Sequence, residues 1–294
     1  MKVCIQVPAS TSNLGSGFDT LGLAVRLYNR LHVRQCSGKT LVPTWPLPDE
    51  DRVWFEEALA AAADLFFRTT KVRRFGAQVT LAGEVPIARG LGASATVRVG
   101  TLAALSELSG AKLDRDALLA MATELEGHPD NASPAIFGGF TVSGRVDGAV
   151  RCFSFPVSPA LKLVTLMPPF GISTEAARKL MPAAYPREDA AHALNRAALI
   201  TAALSSRKYE KLRGTFDDRM HQPYREKLLP QLSSVIRAGE KAGALGGFLS
   251  GSGSSIICLT LNAAEEVRRA MQRAMPDATV KILQADNAGL KVRS

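Results

Sequence analysis

The stretch that most limits how this chain can fold is residues 86–95, PIARGLGASA. Gly90 and Gly92 stand two apart and are followed at once by Ala93, Ser94 and Ala95. Upstream, Ala77, Val79 and Leu81 alternate with Gln78, Thr80 and Ala82, the period of a half-buried strand. Downstream, Val97, Thr101, Ala104, Leu105 and Leu108 recur at helical steps as far as Gly110, a residue type that ends helices. A strand that passes through a glycine turn into a helix N-terminus collects free N–H groups around an anion. The pattern is not G-x-x-x-x-G-K-[ST], so it offers no Walker lysine. Taken alone, it reads equally as a tight turn ahead of a well-made helix.

Two more polar clusters stand around it. Val3, Ile5 and Val7 alternate, predicting a first strand that ends at Pro8 and runs into ASTSNLGSGFDTLG, where Asn13 and Asp19 lie six residues apart. Leu21, Leu23, Val25, Leu31 and Val33 resume the alternation. Residues 39–51, rich in proline, read as a loop or edge. Residues 51–68 read as a buried helix, with Trp54 and Phe55 in the core. A helix over 114–126 stops at Gly127 and Pro129, presenting Glu124, Glu126, His128, Asp130 and Asn131 within eight residues. Carboxylates, an imidazole and an amide at a helix end opposite a glycine loop point to a site.

Strands are predicted at 139–144, 149–156 and 161–167, and the prolines at 156 and 159 divide the chain into domains 1–156 and 157–294. Beyond them, Ser173 or Thr174 caps a short helix carrying Arg178. Helices follow over 188–205, 207–221 and 230–242. A third Gly/Ser loop, 250–254, joins two apolar strands, and a strand near 280–282 closes the chain. Strand and helix mix without an even βαβ beat, which predicts an α+β fold.

The net charge of +9 raises nucleic acid, but Lys and Arg are scattered with few aromatics between them, a surface that fits phosphorylated small molecules as well as RNA, and no nucleic-acid partner is expected. Cys4, Cys36, Cys152 and Cys258 are far apart with no C-x-x-C, against structural zinc and against a disulfide framework. The start lacks a signal-peptide core and no apolar run is long enough to span a bilayer, so a cytoplasmic protein is expected.

The three Gly/Ser loops, 8–19, 86–96 and 248–254, resemble in order the three signature motifs of the GHMP small-molecule kinases. NLGSGFDTLGLA, EGHPDNASPAIFGG, STEAARKLMP and HQPYREKLLP resemble the homoserine kinase branch of that family. The resemblance implies a fold of two domains, the first like ribosomal protein S5 domain 2 and the second ferredoxin-like, often paired as a homodimer. It implies ATP and Mg2+ as cofactors and phosphorylation of the L-homoserine hydroxyl on the route to threonine. Pro86, Gly90, Leu91, Gly92, Ala93, Ser94 and Ala95 then fall on the ATP phosphate loop, and Ser94 and Glu124 on the Mg2+ positions. Asn13, Asp19, His128, Asn131, Thr174, Arg178 and Arg225 fall on the substrate positions.

The residue types suit that chemistry. Asp19 accepts an ammonium, while Arg178 and Arg225 offer cationic forks to a carboxylate. Asn13 or Asn131 holds the hydroxyl. Asn131 stands near where mevalonate kinase has an aspartate, and an amide takes no proton at pH 7. Direct transfer governed by Asn13, Asn131 and Arg178, without a protein base, is therefore expected, with Asp130 as the neighbouring group that tests it. The chain departs from the family at Ala93 for the first serine of GLGSSA, at SGSGSS for SGAGPT, and at Arg52-Val53 for an asparagine. The alternatives are a GHMP kinase for another small hydroxylated acid, or a non-catalytic binding protein of the same fold.

Overall fold

The computed structural model describes residues 1–44 and 49–293. The first sheet holds β1 (Lys2–Ser12), β2 (Leu21–Cys36), β3 (Leu41–Pro43), β4 (Gly76–Gly83), β5 (Phe140–Val146) and β6 (Ala149–Phe155). Against it pack α1 (Asp49–Thr70), α2 (Ala93–Ser109), α3 (Arg115–Glu126) and α4 (Ala132–Phe137). The odd residues of β1, Ile5 and Val7, meet Leu31, Val33, Phe55, Phe66 and Leu102 in one buried cluster, but the even residues from Gln6 onward are buried too, so β1 is covered on both faces rather than half-buried.

The second sheet runs β7 (Lys162–Met167), β8 (Gly246–Leu249), β9 (Ile256–Thr260) and β10 (Thr279–Gln284), in the antiparallel order β10-β7-β9-β8. Between β7 and β8 lie α5 (Thr174–Lys179), α6 (Arg187–Ser205), α7 (Gln222–Arg225) and α8 (Leu232–Lys241), and α9 (Ala264–Ala274) joins β9 to β10. This is the βαββαβ arrangement of a ferredoxin-like half, and the whole is α+β in two parts. A second buried cluster, with Leu23, Val25, Phe140, Leu163, Phe248 and Ile257, fuses the two sheets. The chain then returns: β11 (Lys291–Arg293) adds to β1 in the first sheet, so the end of the 157–294 segment belongs structurally with the start of the chain.

Two expectations change, and a third is made specific. The first strand does not end at Pro8. The β1–β2 register shifts between Pro8 and Ala9, a bulge that accommodates a residue without an N–H, and the strand continues to Ser12. Residues 207–221 do not form a helix beyond one 3-10 turn, Tyr209–Leu212. Arg207 and Gly214 adopt positive φ, and the Asp218 carboxylate takes the N–H groups of Met220, His221 and Gln222, which starts α7 instead. The expected loop or edge at 39–51 is partly the edge strand β3, and residues 45–48 of it lie outside the described residues.

The return of the chain rests on Asp286. Its Oδ1 accepts the N–H groups of Ala288 and Gly289 at 2.8 and 2.7 Å, and its Oδ2 accepts the Tyr28 hydroxyl at 2.7 Å. Burial, with this bond, pushes the Tyr28 phenol up to about 12. Asp286→Ala is expected to lower unfolding free energy in urea by about 1–3 kcal/mol, the usual loss when buried donors are orphaned.

Candidate active site

The glycines of the central loop are required by close approach. Gly90 has φ +72°, and a Cβ there would lie 2.0 Å from Ser250 O; at Gly92, φ +70°, it would lie 2.2 Å from Ser10 Oγ. The loop can therefore nest between β1 and the third Gly/Ser loop only without side chains. Gly92 caps α2 with no side-chain bond and no acid in the first turn. The first N–H used inside α2 is that of Thr96, bonded to Gly92 O at 2.9 Å, so those of Ala93, Ser94 and Ala95, residues that line the cleft, have no acceptor within the helix. Leu91 lies behind this surface, buried, with its carbonyl taken by Ser10 N–H at 3.2 Å, and Pro86 precedes it outside the residues that line the cleft.

The cleft, of about 520 Å³, lies where the three loops meet. Ser250 Oγ bonds Gly90 O at 2.6 Å and Thr11 Oγ1 at 2.7 Å, and Gly251 N–H donates to Ser12 O at 3.2 Å. Beside the open N–H groups, Ser94 Oγ donates to Glu126 Oε1 at 2.7 Å, and Arg98 Nη1 reaches the same oxygen at 2.8 Å. Glu124, expected beside Ser94, is not there. It lies on the outer face of α3, paired with Arg68 at 2.8 Å, both side chains more than half exposed. Residues two apart on a helix stand about 200° apart around its axis, so only one of Glu124 and Glu126 faces the cleft. A hydroxyl and a carboxylate are hard oxygen donors of the sort Mg2+ takes alongside nucleotide phosphates, so Ser94 and Glu126 fit that ion, and Glu124 does not.

The other end carries the remaining charges. Asp19 and Arg178 pair at 2.8 Å, and Asp130, buried, bonds His128 Nδ1 at 2.5 Å. Asp19, His128 and Asp130 each bring one ligand-type atom within 4.8 Å of the others. Burial of the His128 ring lowers its pKa, but the bond and charge of Asp130 and the charge of Asp19 outweigh it, and the net shift is upward. Arg225 is buried, and among the described residues it pairs with no carboxylate; burial and the neighbouring Arg178 charge push its pKa down to about 10. The Phe18 ring lies against both guanidiniums, 5.5 Å from that of Arg178 and 5.3 Å from that of Arg225. Thr174, the first residue of α5, reaches Ser252 Oγ at 3.3 Å.

The two amides serve the scaffold as well as the cleft they line. Asn13 accepts from Asp19 N–H at 3.0 Å and donates to Gly251 O at 3.1 Å. Asn131 accepts from Ser10 Oγ and donates to Ser12 Oγ, both at 2.9 Å. Two residues that the reading of the motifs missed stand at the site, one packed on the arginines and one lining the cleft. Phe18 sits inside the first loop, where an aromatic among small polar residues was the available signal. Trp54, expected in the core, is half-buried and lines the cleft, because α1 turns that residue past the edge of the apolar cluster.

The family model described as GHMP kinases N terminal domain matches residues 57–139, and that described as GHMP kinases C terminal matches 192–277. A curated homoserine kinase of Persephonella marina is 38% identical over 98% of this chain and 98% of its own length. The chain belongs to the GHMP kinases. A homoserine kinase of Caldicellulosiruptor bescii is 35% identical over 99% of this GHMP kinase and 97% of its own length. Among solved structures, the homoserine kinase from Cytophaga hutchinsonii superposes with a TM-score of 0.88 at 26% identity, covering 99% of this chain and 97% of its own. L. major mevalonate kinase in complex with R-mevalonate superposes with a TM-score of 0.73 at 18% identity, covering 96% of this chain and 95% of its own, a similarity of fold.

The His128–Asp130 pair sets a pH dependence. A histidine whose folded pKa is raised contributes stability that is full below its unfolded value near 6.5 and is lost as pH rises through the folded value. NMR titration is expected to place His128 above 6.5, and Asp130→Asn to bring it down. A midpoint that does not move in the variant would show that Asp130 is not its cause.

Proposed function

We propose that this GHMP kinase moves the γ-phosphoryl group of ATP onto the side-chain hydroxyl of L-homoserine. One observation carries the reading: a bare helix N-terminus and a buried guanidinium without a carboxylate partner among the described residues line the same cleft, together with Asp19 and Asp130. The first suits phosphates, the second a substrate carboxylate, and the acids an ammonium. A sugar or a plain hydroxy acid brings no ammonium to meet those acids. The curated relatives, named homoserine kinases, point the same way.

The N–H groups of Ala93, Ser94 and Ala95 receive the phosphates of ATP. Ser94 Oγ and the Glu126 carboxylate would hold Mg2+, which when bound neutralises charge on the phosphate oxygens. Asp19 and the His128–Asp130 pair take the substrate ammonium, and Arg225, with Arg178, its carboxylate. Asn131, held from both sides by Ser10 and Ser12, presents its amide edge to the hydroxyl and accepts no proton. Asp130 already spends an oxygen on His128. The hydroxyl oxygen therefore attacks the γ-phosphorus in line as the bond to ADP breaks, and its proton passes to an oxygen of the transferred phosphoryl group rather than to a protein base. Two copies paired as a homodimer, and a cytoplasmic location, belong to the same proposal.

The test is ADP release with Mg-ATP across L-homoserine, L-serine, mevalonate and galactose. Homoserine is expected to be turned over best. Preference for another hydroxylated acid would reassign the substrate, and no turnover with any would leave a binding protein. Glu126→Gln is expected to cut kcat by about 100-fold or more, the scale of losing a charge-stabilising group, while Glu124→Gln stays near wild type. Asp130→Asn should act mainly on KM for homoserine; a loss of several orders of magnitude in kcat with binding intact would overturn transfer without a base.

A further inference from the structure

Between the first loop and α7 lies a histidine with no part in the reaction as described. His221 is fully buried, and both ring nitrogens are engaged: Nε2 with Gly15 O at 2.9 Å, and Nδ1 with Arg225 Nη1 at 3.2 Å. A carbonyl oxygen only accepts and a guanidinium only donates. One form of the ring satisfies both contacts, the neutral one with its proton on Nε2. The charged groups around it are Asp218, whose Oδ2 lies 3.6 Å from Nε2, Arg225 one turn along, and Asp19 in the first loop. Burial pushes the His221 pKa below its ordinary value against the pull of Asp218, and Arg225 adds to the fall, so the neutral form persists.

The consequence falls on Arg225. Its Nη1 also donates to Gly251 O at 2.8 Å, so the carbonyl and His221 together use both Nη1 hydrogens. The Nε–Nη2 edge remains, and Nε is buried without a partner among the described residues. That edge takes a carboxylate side-on through two parallel bonds. A guanidinium free to turn would offer the edge only part of the time. Phe18, packed on His221 at 5.5 Å and on the guanidinium, limits the same rotation.

We propose that His221, as the Nε2–H tautomer, is a positioning residue that fixes the Arg225 guanidinium so that its Nε–Nη2 edge meets the substrate carboxylate. The proposal rests on the homoserine reading for the identity of that carboxylate.

The test separates the two ring nitrogens. His221→Asn can keep an acceptor near the Nδ1 position, whereas His221→Gln can keep a donor near Nε2 and loses the acceptor. Kinetics are compared for L-homoserine and 3-aminopropan-1-ol, the same molecule without its carboxylate. His221→Gln is expected to lower kcat/KM for homoserine about ten- to a hundredfold, chiefly through KM. KM for ATP and turnover of the amino alcohol should be unchanged, so the selectivity ratio collapses; His221→Asn should largely restore it. An unchanged ratio in His221→Gln, or equal losses on both substrates with a fall in Tm, overturns the positioning role. Absence of homoserine turnover by the wild-type protein overturns the functional reading itself. Independently of activity, 15N shifts of His221 in the wild-type protein should show the Nε2–H tautomer, and an Nδ1–H or doubly protonated ring would overturn the proposal.

Discussion

One residue, Gly251, ties the functional half of this molecule together through its backbone. The carbonyl of Gly251 accepts from Asn13 Nδ2 at 3.1 Å and from Arg225 Nη1 at 2.8 Å, and its N–H donates to Ser12 O at 3.2 Å. The next residue back, Ser250, closes on Gly90 and Thr11. Loops from the start, middle and end of the chain are thus joined at a single turn. Each such bond contributes about 1 kcal/mol net, but a buried polar group left unpaired costs about 1–3 kcal/mol. The loops are consequently stable together and costly apart. The cluster of Val25, Phe140, Leu163 and Phe248 beneath them holds the two sheets at the spacing this closure needs.

Charge in the cleft is nearly balanced before any ligand arrives. Asp19 has Arg178, Asp130 has His128, and Glu126 has Arg98 and Ser94. Buried ions are tolerated when paired. Arg225 breaks the pattern, held by a carbonyl, a neutral imidazole and an aromatic face, none of which cancels its charge. The open N–H groups of α2 are the second uncompensated positive end. A nucleotide and an amino acid supply the missing negative charge at both places, so the energetic deficit of the free protein is the recognition of its ligands.

Local pattern was legible where backbone chemistry decides it. Gly110 and Gly127 end α2 and α3 in left-handed conformation, Asp114 and Ser173 cap α3 and α5 with side-chain bonds, and β4 and the second half of β2 alternate as half-buried strands do, while β1 is buried on both faces. Pro8 misled because a bulge lets a strand carry a proline, and residues 207–221 misled because helical periodicity survives in a segment pinned by Phe216 and Asp218. At the site, motif order brought together the right loops. It did not choose between Glu124 and Glu126, which share a helix end and differ only in the face they present. The role of Asn13 and Asn131 as loop clamps was equally hidden, since their partners lie up to 238 residues away.

By itself, the sequence determined most of the element types, the glycine turn that bares a helix end, and the family, because these depend on short-range sterics and on residue types in order. Only the tertiary structure decided which side chains meet: Glu126 rather than Glu124 beside Ser94, Phe18 against two guanidiniums, and His221 between Gly15 and Arg225. The physical reason is that burial and hydrogen-bond geometry are properties of the closed loops. A charge or a tautomer is assigned by the atoms packed against it, and those atoms come from distant parts of the chain.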